Sequence, residues 1–187
     1  MNRRFFVRLA LAGGVWLATT GHSPYRQWII YRKLRLVVLA DAEDEVSVQI
    51  GQTLVPLLAE RLPESRATLA RARDVNDLVR LLATKQLDAA VLREDYAYAA
   101  YAGAERFADN GKVPLRALAN LGAHLFVCRD DMPQPIAHQI AEAVAENWRR
   151  FDPTLVGIAA SPEPLRSTRI PAHPGAAEYY LEHRLDK

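Results

Sequence analysis

A single cysteine, Cys128, stands in the 187 residues, so no intramolecular disulfide can staple the chain. It falls in the apolar run Leu125-Phe126-Val127-Cys128 and reads as a small core residue, with a reactive thiol as the alternative. The sequence also lacks a P-loop, a dinucleotide fingerprint, a nucleophile elbow and any zinc-ligand spacing. No enzyme activity, cofactor or metal is therefore expected. Net charge is nearly missing too. The formal value is +2, but Arg3, Arg4 and Arg8 lie within residues 1–21, and 24 basic residues less those three leave 21 against 22 acidic. That balance gives nucleic acid no basic footprint to bind. Long apolar runs are short as well: Phe5 to Thr20 falls below the roughly 20 residues of a membrane-spanning helix. What remains is half apolar and a quarter charged, a globular composition with room for one ordinary domain and no internal repeat.

The chain divides into residues 1–21, 22–33 and 34–187. The first has a basic start, the apolar run Leu9 to Ala18 and then Thr19, Thr20 and Gly21, the layout of a bacterial export signal. Arg3-Arg4-Phe5-Phe6-Val7-Arg8 resembles the twin-arginine signal, although Asn2 replaces the usual Ser or Thr. Ala18-Thr19-Thr20 is a poor small-x-small cleavage pattern, so an uncleaved anchor helix stands beside a cleaved signal. Both readings put the domain in the periplasm. Residues 22–33 form an aromatic and basic linker. Within 24–35, Tyr25, Trp28 and Tyr31 recur every three residues, which suits contact with a membrane interface or packing on the domain.

Residues 34–187 read as one α/β domain. Leu34 to Ala40 has the β-branched content of a first strand, and Asp41-Ala42-Glu43-Asp44-Glu45 is an acidic turn. Ser47 is the expected cap of a helix to Leu62, with Ile50, Leu54, Leu57 and Leu58 inward. Ala67, Leu69 and Ala72 suggest a second strand, and Asp74 an N-cap before Val75, Leu78, Val79 and Leu82 at helical spacing. Leu87 to Leu92 is a third strand, followed by a helix through Tyr96, Tyr98 and Tyr101 that is expected to continue past Gly103 to Phe107. Leu115–Leu121 and His124–Arg129 are two further strands separated by Gly122. A helix over Ile136–Phe151 carries Ile140, Val144 and Trp148, and a proline-containing tail leads to a last helix from Ala176.

The βαβ pattern predicts right-handed crossovers and a mainly parallel sheet with helices on both faces. Ligands in such sheets sit outside the carboxyl ends of the strands. The candidate ligand- or partner-binding edge is therefore Asp41, Asp44, Ser47, Asp74, Asn76, Arg93, Asp95 and Tyr98. The acidic turn has charge for a hard cation such as calcium but lacks the alternation and glycine of a calcium loop, so a solvated turn is the plainer reading. Tyr98 and Tyr101 share a helix face, as core or as a ligand rim. His173 reads as structural, and His124 and His138 as isolated.

Val75 to Gly103, VNDLVRLLATKQLDAAVLREDYAYAAYAG, resembles the TAXI family of TRAP-transporter solute-binding proteins. LRALANL at 115–121, DMPQPIAHQIAEAVAEN at 131–147 and IPAHPGAAEYY at 170–180 resemble further family blocks, in the family's order. The resemblance implies a periplasmic-binding-protein-like fold, no catalysis, and partners drawn from a membrane transporter subunit, another envelope protein or a small-molecule ligand. Two departures matter. Family members bind between two α/β lobes, whereas here the strand ending at Arg129 runs almost directly into the C-terminal helix pattern. The family's first strand leads into a Gly/Ser/Thr-rich turn that cradles a carboxylate, whereas this chain has Asp41 to Glu45 there. Each close exposed like-charge pair would disfavour an anion by about 1 kcal/mol. The expected protein is thus a single lobe that binds a small solute or docks to a transporter, with an accessory envelope subunit that binds no small molecule as the alternative.

Overall fold

The computed structural model describes residues 35–157 and 165–183, except for the side chain of Glu105. The expected signal or anchor helix and the 22–33 linker lie outside them. Five strands form one sheet: β1 (Val37–Asp41), β2 (Thr68–Ala72), β3 (Ala89–Arg93), β4 (Leu115–Leu121) and β5 (His124–Arg129), in the order β2-β1-β3-β5-β4. β1 pairs in parallel with β2 and β3, while β5 is antiparallel to both β3 and β4. The sheet is therefore mixed rather than mainly parallel: four strands run one way and β5 runs back. The reason is local. Only Gly122 and Ala123 join β4 to β5, and a parallel crossover needs a dozen or more residues. Gly122 has φ 78° and Ala123 does not share the positive sign, the pattern of a type II′ hairpin turn.

The helices are α1 (Glu45–Arg61), α2 (Val75–Ala83), α3 (Glu94–Ala102), α4 (Gln134–Glu146), α5 (Pro153–Val156) and α6 (Pro174–Glu182), with 3-10 turns at Glu105–Asn110 and Trp148–Arg150. The chain steps from β1 to β2 on one side and back past β1 to β3, so right-handed crossovers put α1 and α2 on opposite faces. α4 packs beside α1 and α6, and α3 shares the 105–110 turn with α2, so both faces are covered. The apolar stripe expected for α1 is buried: Leu54, Leu57 and Leu58 are fully inaccessible, each worth about 1.5–3 kcal/mol of burial. Cys128 is equally buried in β5. Burial, with Asp131 and Asp88 nearby, pushes its thiol well up, so it is an inert core residue.

Three element ends differ from expectation. Ser47 is not the cap of α1. Asp44 is, with extended backbone and Oδ1 accepting the Ser47 N–H at 3.3 Å, while Ser47 sits a turn inside the helix and is buried. α3 does not reach Phe107, because Gly103 closes it in a left-handed conformation (φ 66°) and a 3-10 turn follows. α4 stops at Glu146, although Ile140, Val144 and Trp148 are buried as their spacing predicts. The Asp74 cap holds: its Oδ1 accepts the Asp77 N–H at 2.8 Å.

The tail closes the β4 side of the sheet. The Ala117 N–H donates to Pro171 O at 3.0 Å and the His173 N–H to Ala117 O at 2.9 Å. His173 then caps α6: its Nδ1 accepts the Gly175 N–H at 3.2 Å while Nε2 donates to Met132 O at 3.0 Å. Both bonds need the neutral ring. Burial pulls the His173 pKa below the ordinary 6.5, with Arg116 pulling the same way and Met132 O and Asp130 partly opposing. The unfolded chain therefore binds this proton more readily. The contribution to stability is full above pH 6.5 and is lost as pH falls from there through the lower folded value. Asn at 173 keeps a capping oxygen and removes the titration. Urea midpoints of His173→Asn measured between pH 7 and 5 will fall less steeply than wild type, and parallel curves would contradict this.

Candidate functional site

The strand order reverses between β1 and β3, one leading to each side of the sheet. Beyond the carboxyl ends of these strands lies the crevice where open α/β sheets place their ligands. Asp41 ends β1 and is buried, its Oδ1 accepting the Glu43 N–H at 2.9 Å. The Ser47 hydroxyl accepts the Asp41 N–H at 3.1 Å and lies 3.3 Å from Asp41 O and 3.1 Å from Asp44 O, so it is held by backbone. The second oxygen of Asp44 faces His124, whose Nε2 donates to it at 2.7 Å. The His124 side chain is only 6% exposed and starts β5 directly opposite Arg93, the last residue of β3. Its Nδ1 is buried without a partner among the described residues. Asp41, Asp44 and Ser47 thus share one network, and His124 is its unforeseen fourth member.

A second group gathers around α3. Arg93 donates from Nε and Nη2 to the two Asp95 oxygens at 3.1 and 2.7 Å, and its guanidinium lies 4.9 Å from the centre of the Tyr96 ring. The hydrogen bonds to Asp95 are the main reason its pKa rises above the ordinary arginine value, and Asp44 adds a smaller pull. Arg106 donates from Nε to Asn76 Oδ1 at 3.0 Å and stands 5.4 Å from the Tyr96 ring centre. Tyr98 is partly buried against the core, with the Arg169 guanidinium stacked 3.6 Å over its ring. The Arg169 N–H donates to Glu94 Oε1 at 3.1 Å. Asp74 sits apart, held below the usual carboxylate range first by the Asp77 N–H and then by Arg73 at 3.0 Å.

Sequence reasoning put Asp41, Asp44, Ser47, Asp74, Asn76, Arg93, Asp95 and Tyr98 at or beside this edge, but missed His124, Tyr96, Arg106 and Arg169. Arg106 and Arg169 arrive from a 3-10 turn and from the tail, and no local pattern marks them. Among the described residues, no three His, Cys, Asp or Glu side chains gather as metal ligands. Asp41 Oδ1 and both oxygens of Asp44 are already engaged, which argues against the cation reading of the acidic turn. Two shallow concavities of about 220 and 390 Å³ are lined by Glu60–Leu62 with Gln139 and Glu142, and by Gln134–His138 with Glu178. These are the C-terminal end of α1 and the N-terminal end of α4, at the opposite end of the sheet. No helix among the described residues is long and apolar enough to cross a membrane. The chain matches no protein-family model and no curated protein.

Proposed function

We propose that residues 35–187 are a non-catalytic docking domain of the TAXI-like solute-binding class, working in the periplasm. In this reading the carboxyl-end edge of a single lobe meets a transporter subunit or another envelope protein. The observation that carries it is the way the edge's polar groups satisfy one another: Asp44 with Ser47 and His124, Arg93 with Asp95, Asn76 with Arg106. A small-solute site needs convergent, unengaged polar groups inside a concave pocket that removes most of the ligand's surface from water. An engaged edge crowded with Tyr and Arg instead has the composition of interface hot spots. The export signal and the family resemblance support the envelope as the setting.

The buried, unpartnered Nδ1 of His124 favours a second reading, a small polar solute held at the same edge. One experiment separates them. A ligand that binds only the folded state raises stability by RT ln(1 + [L]/Kd). Thermal melts of the domain with dicarboxylates, amino acids and divalent cations, each at millimolar concentration, will leave the midpoint unmoved. A shift of several degrees that His124→Gln abolishes would replace the docking reading with the solute-binding one.

A further inference from the structure

We infer that the partner meets this edge through an acidic segment, whose carboxylates pair with Arg106 and Arg169; this rests on the docking reading and names the partner's chemistry. Each carboxylate nearest these two arginines is already engaged. Asp95 holds Arg93 with both oxygens, Glu94 accepts the backbone N–H of Arg169, and both oxygens of Asp44 are taken. Among the described residues, no carboxylate pairs with the guanidinium of Arg106 or of Arg169.

Yet both forks are held. Arg169 lies flat on Tyr98, and Arg106 is fixed by Asn76 on one side and by the Tyr96 and Phe107 rings on the other. A stacked guanidinium still presents N–H groups at its edge, and it loses less rotamer freedom than a free arginine when a carboxylate arrives. Fixed, unpaired forks beside partly buried tyrosines are what an acidic protein surface recognises through bidentate hydrogen bonds. Both arginines are exposed, so the pairing would be salt-sensitive and would set specificity and association rate.

The test uses the full chain in the cells that make it. A photo-crosslinking amino acid replaces Asp109 or Ser167, which are exposed neighbours of the two arginines, with Glu64 at the opposite end as control. Crosslinked peptides are then sequenced. The expected result is adducts from positions 109 and 167 on one protein, in a stretch rich in Asp and Glu. Yield should fall about tenfold in Arg106→Glu/Arg169→Glu and less in Arg106→Gln/Arg169→Gln, both checked for an unchanged melt. Adducts on a segment poor in acids, or on lipid, would overturn the acidic partner. In the protein case the docking reading would survive. Absence of any adduct from 109, 167 and a further edge position, Glu43, would overturn both.

Discussion

Replacing Gly175 with alanine will lower the unfolding midpoint on the order of 10 °C, from a loss of about 3 kcal/mol. A methyl group there would meet Gln134 O at 2.1 Å, Gln134 C at 3.0 Å and the His138 N at 3.0 Å, all backbone atoms of α4. No rotamer change relieves a clash with backbone, so the helices must separate. α6 carries Tyr179 and Tyr180 into the core, the Tyr180 hydroxyl donating to Leu118 O at 3.3 Å, and that packing loosens when the helix moves out. The run His173-Pro174-Gly175 thus works as a unit: a capping imidazole, a proline pre-set for the first helical turn, and a residue thin enough for α6 to lie on α4. Gly111→Ala is the control. Its added methyl would meet nothing within 4 Å, so only the cost of a left-handed backbone, about 1 kcal/mol, is expected. Comparable melts for the two variants would mean that α6 does not depend on this contact.

Asp44→Ala should come close to it in effect. One side chain caps α1 and also satisfies His124. Losing the cap costs about 0.5–2 kcal/mol, and stranding the Nε2–H of a buried imidazole about 1–3 kcal/mol. Because these overlap at one site, a total of about 3 kcal/mol is expected rather than the sum of the upper limits. Asp44→Asn retains an oxygen for the Ser47 N–H and should lose about 1 kcal/mol. A double-mutant cycle of Asp44→Ala with His124→Phe separates the roles, because phenylalanine leaves no stranded N–H. A coupling energy near zero in urea titrations would show that the 2.7 Å contact carries no weight.

What could be read from the sequence follows the range of the interactions. Caps and turns act within a few residues, so Asp74, Gly122 and the inward stripes of α1 and α4 were legible. Gly103 stood in plain view, but its role as the stop of α3 depends on positive φ and close approach to the 111–112 backbone, which no spacing reveals. Ser47 and Asp44 both have capping chemistry, and only the β-region backbone at Asp44 decides between them. The reversal of β5 was implicit in the two-residue link after Leu121 and was obscured by the parallel βαβ pattern before it. The Asp44–His124 contact joins residues 80 positions apart. Arg169 on Tyr98 likewise depends on how the tail crosses the sheet. At the candidate edge, then, the backbone positions were foreseeable from strand ends, whereas their engagement with one another was not.

Whether that edge is covered in the cell is the most direct question, and the buried Cys128 provides a quiet background for answering it. Single cysteines placed at Glu43 and Asn76, on the edge, and at Glu64, at the opposite end, are all at exposed positions. A membrane-impermeant thiol reagent applied to cells with permeabilised outer membranes, and separately to the purified protein, compares accessibility in the two settings. The docking account predicts that positions 43 and 76 are labelled readily in the purified protein and protected severalfold in the cell, with position 64 labelled alike in both. Equal labelling of positions 43 and 76 in the two settings would contradict it.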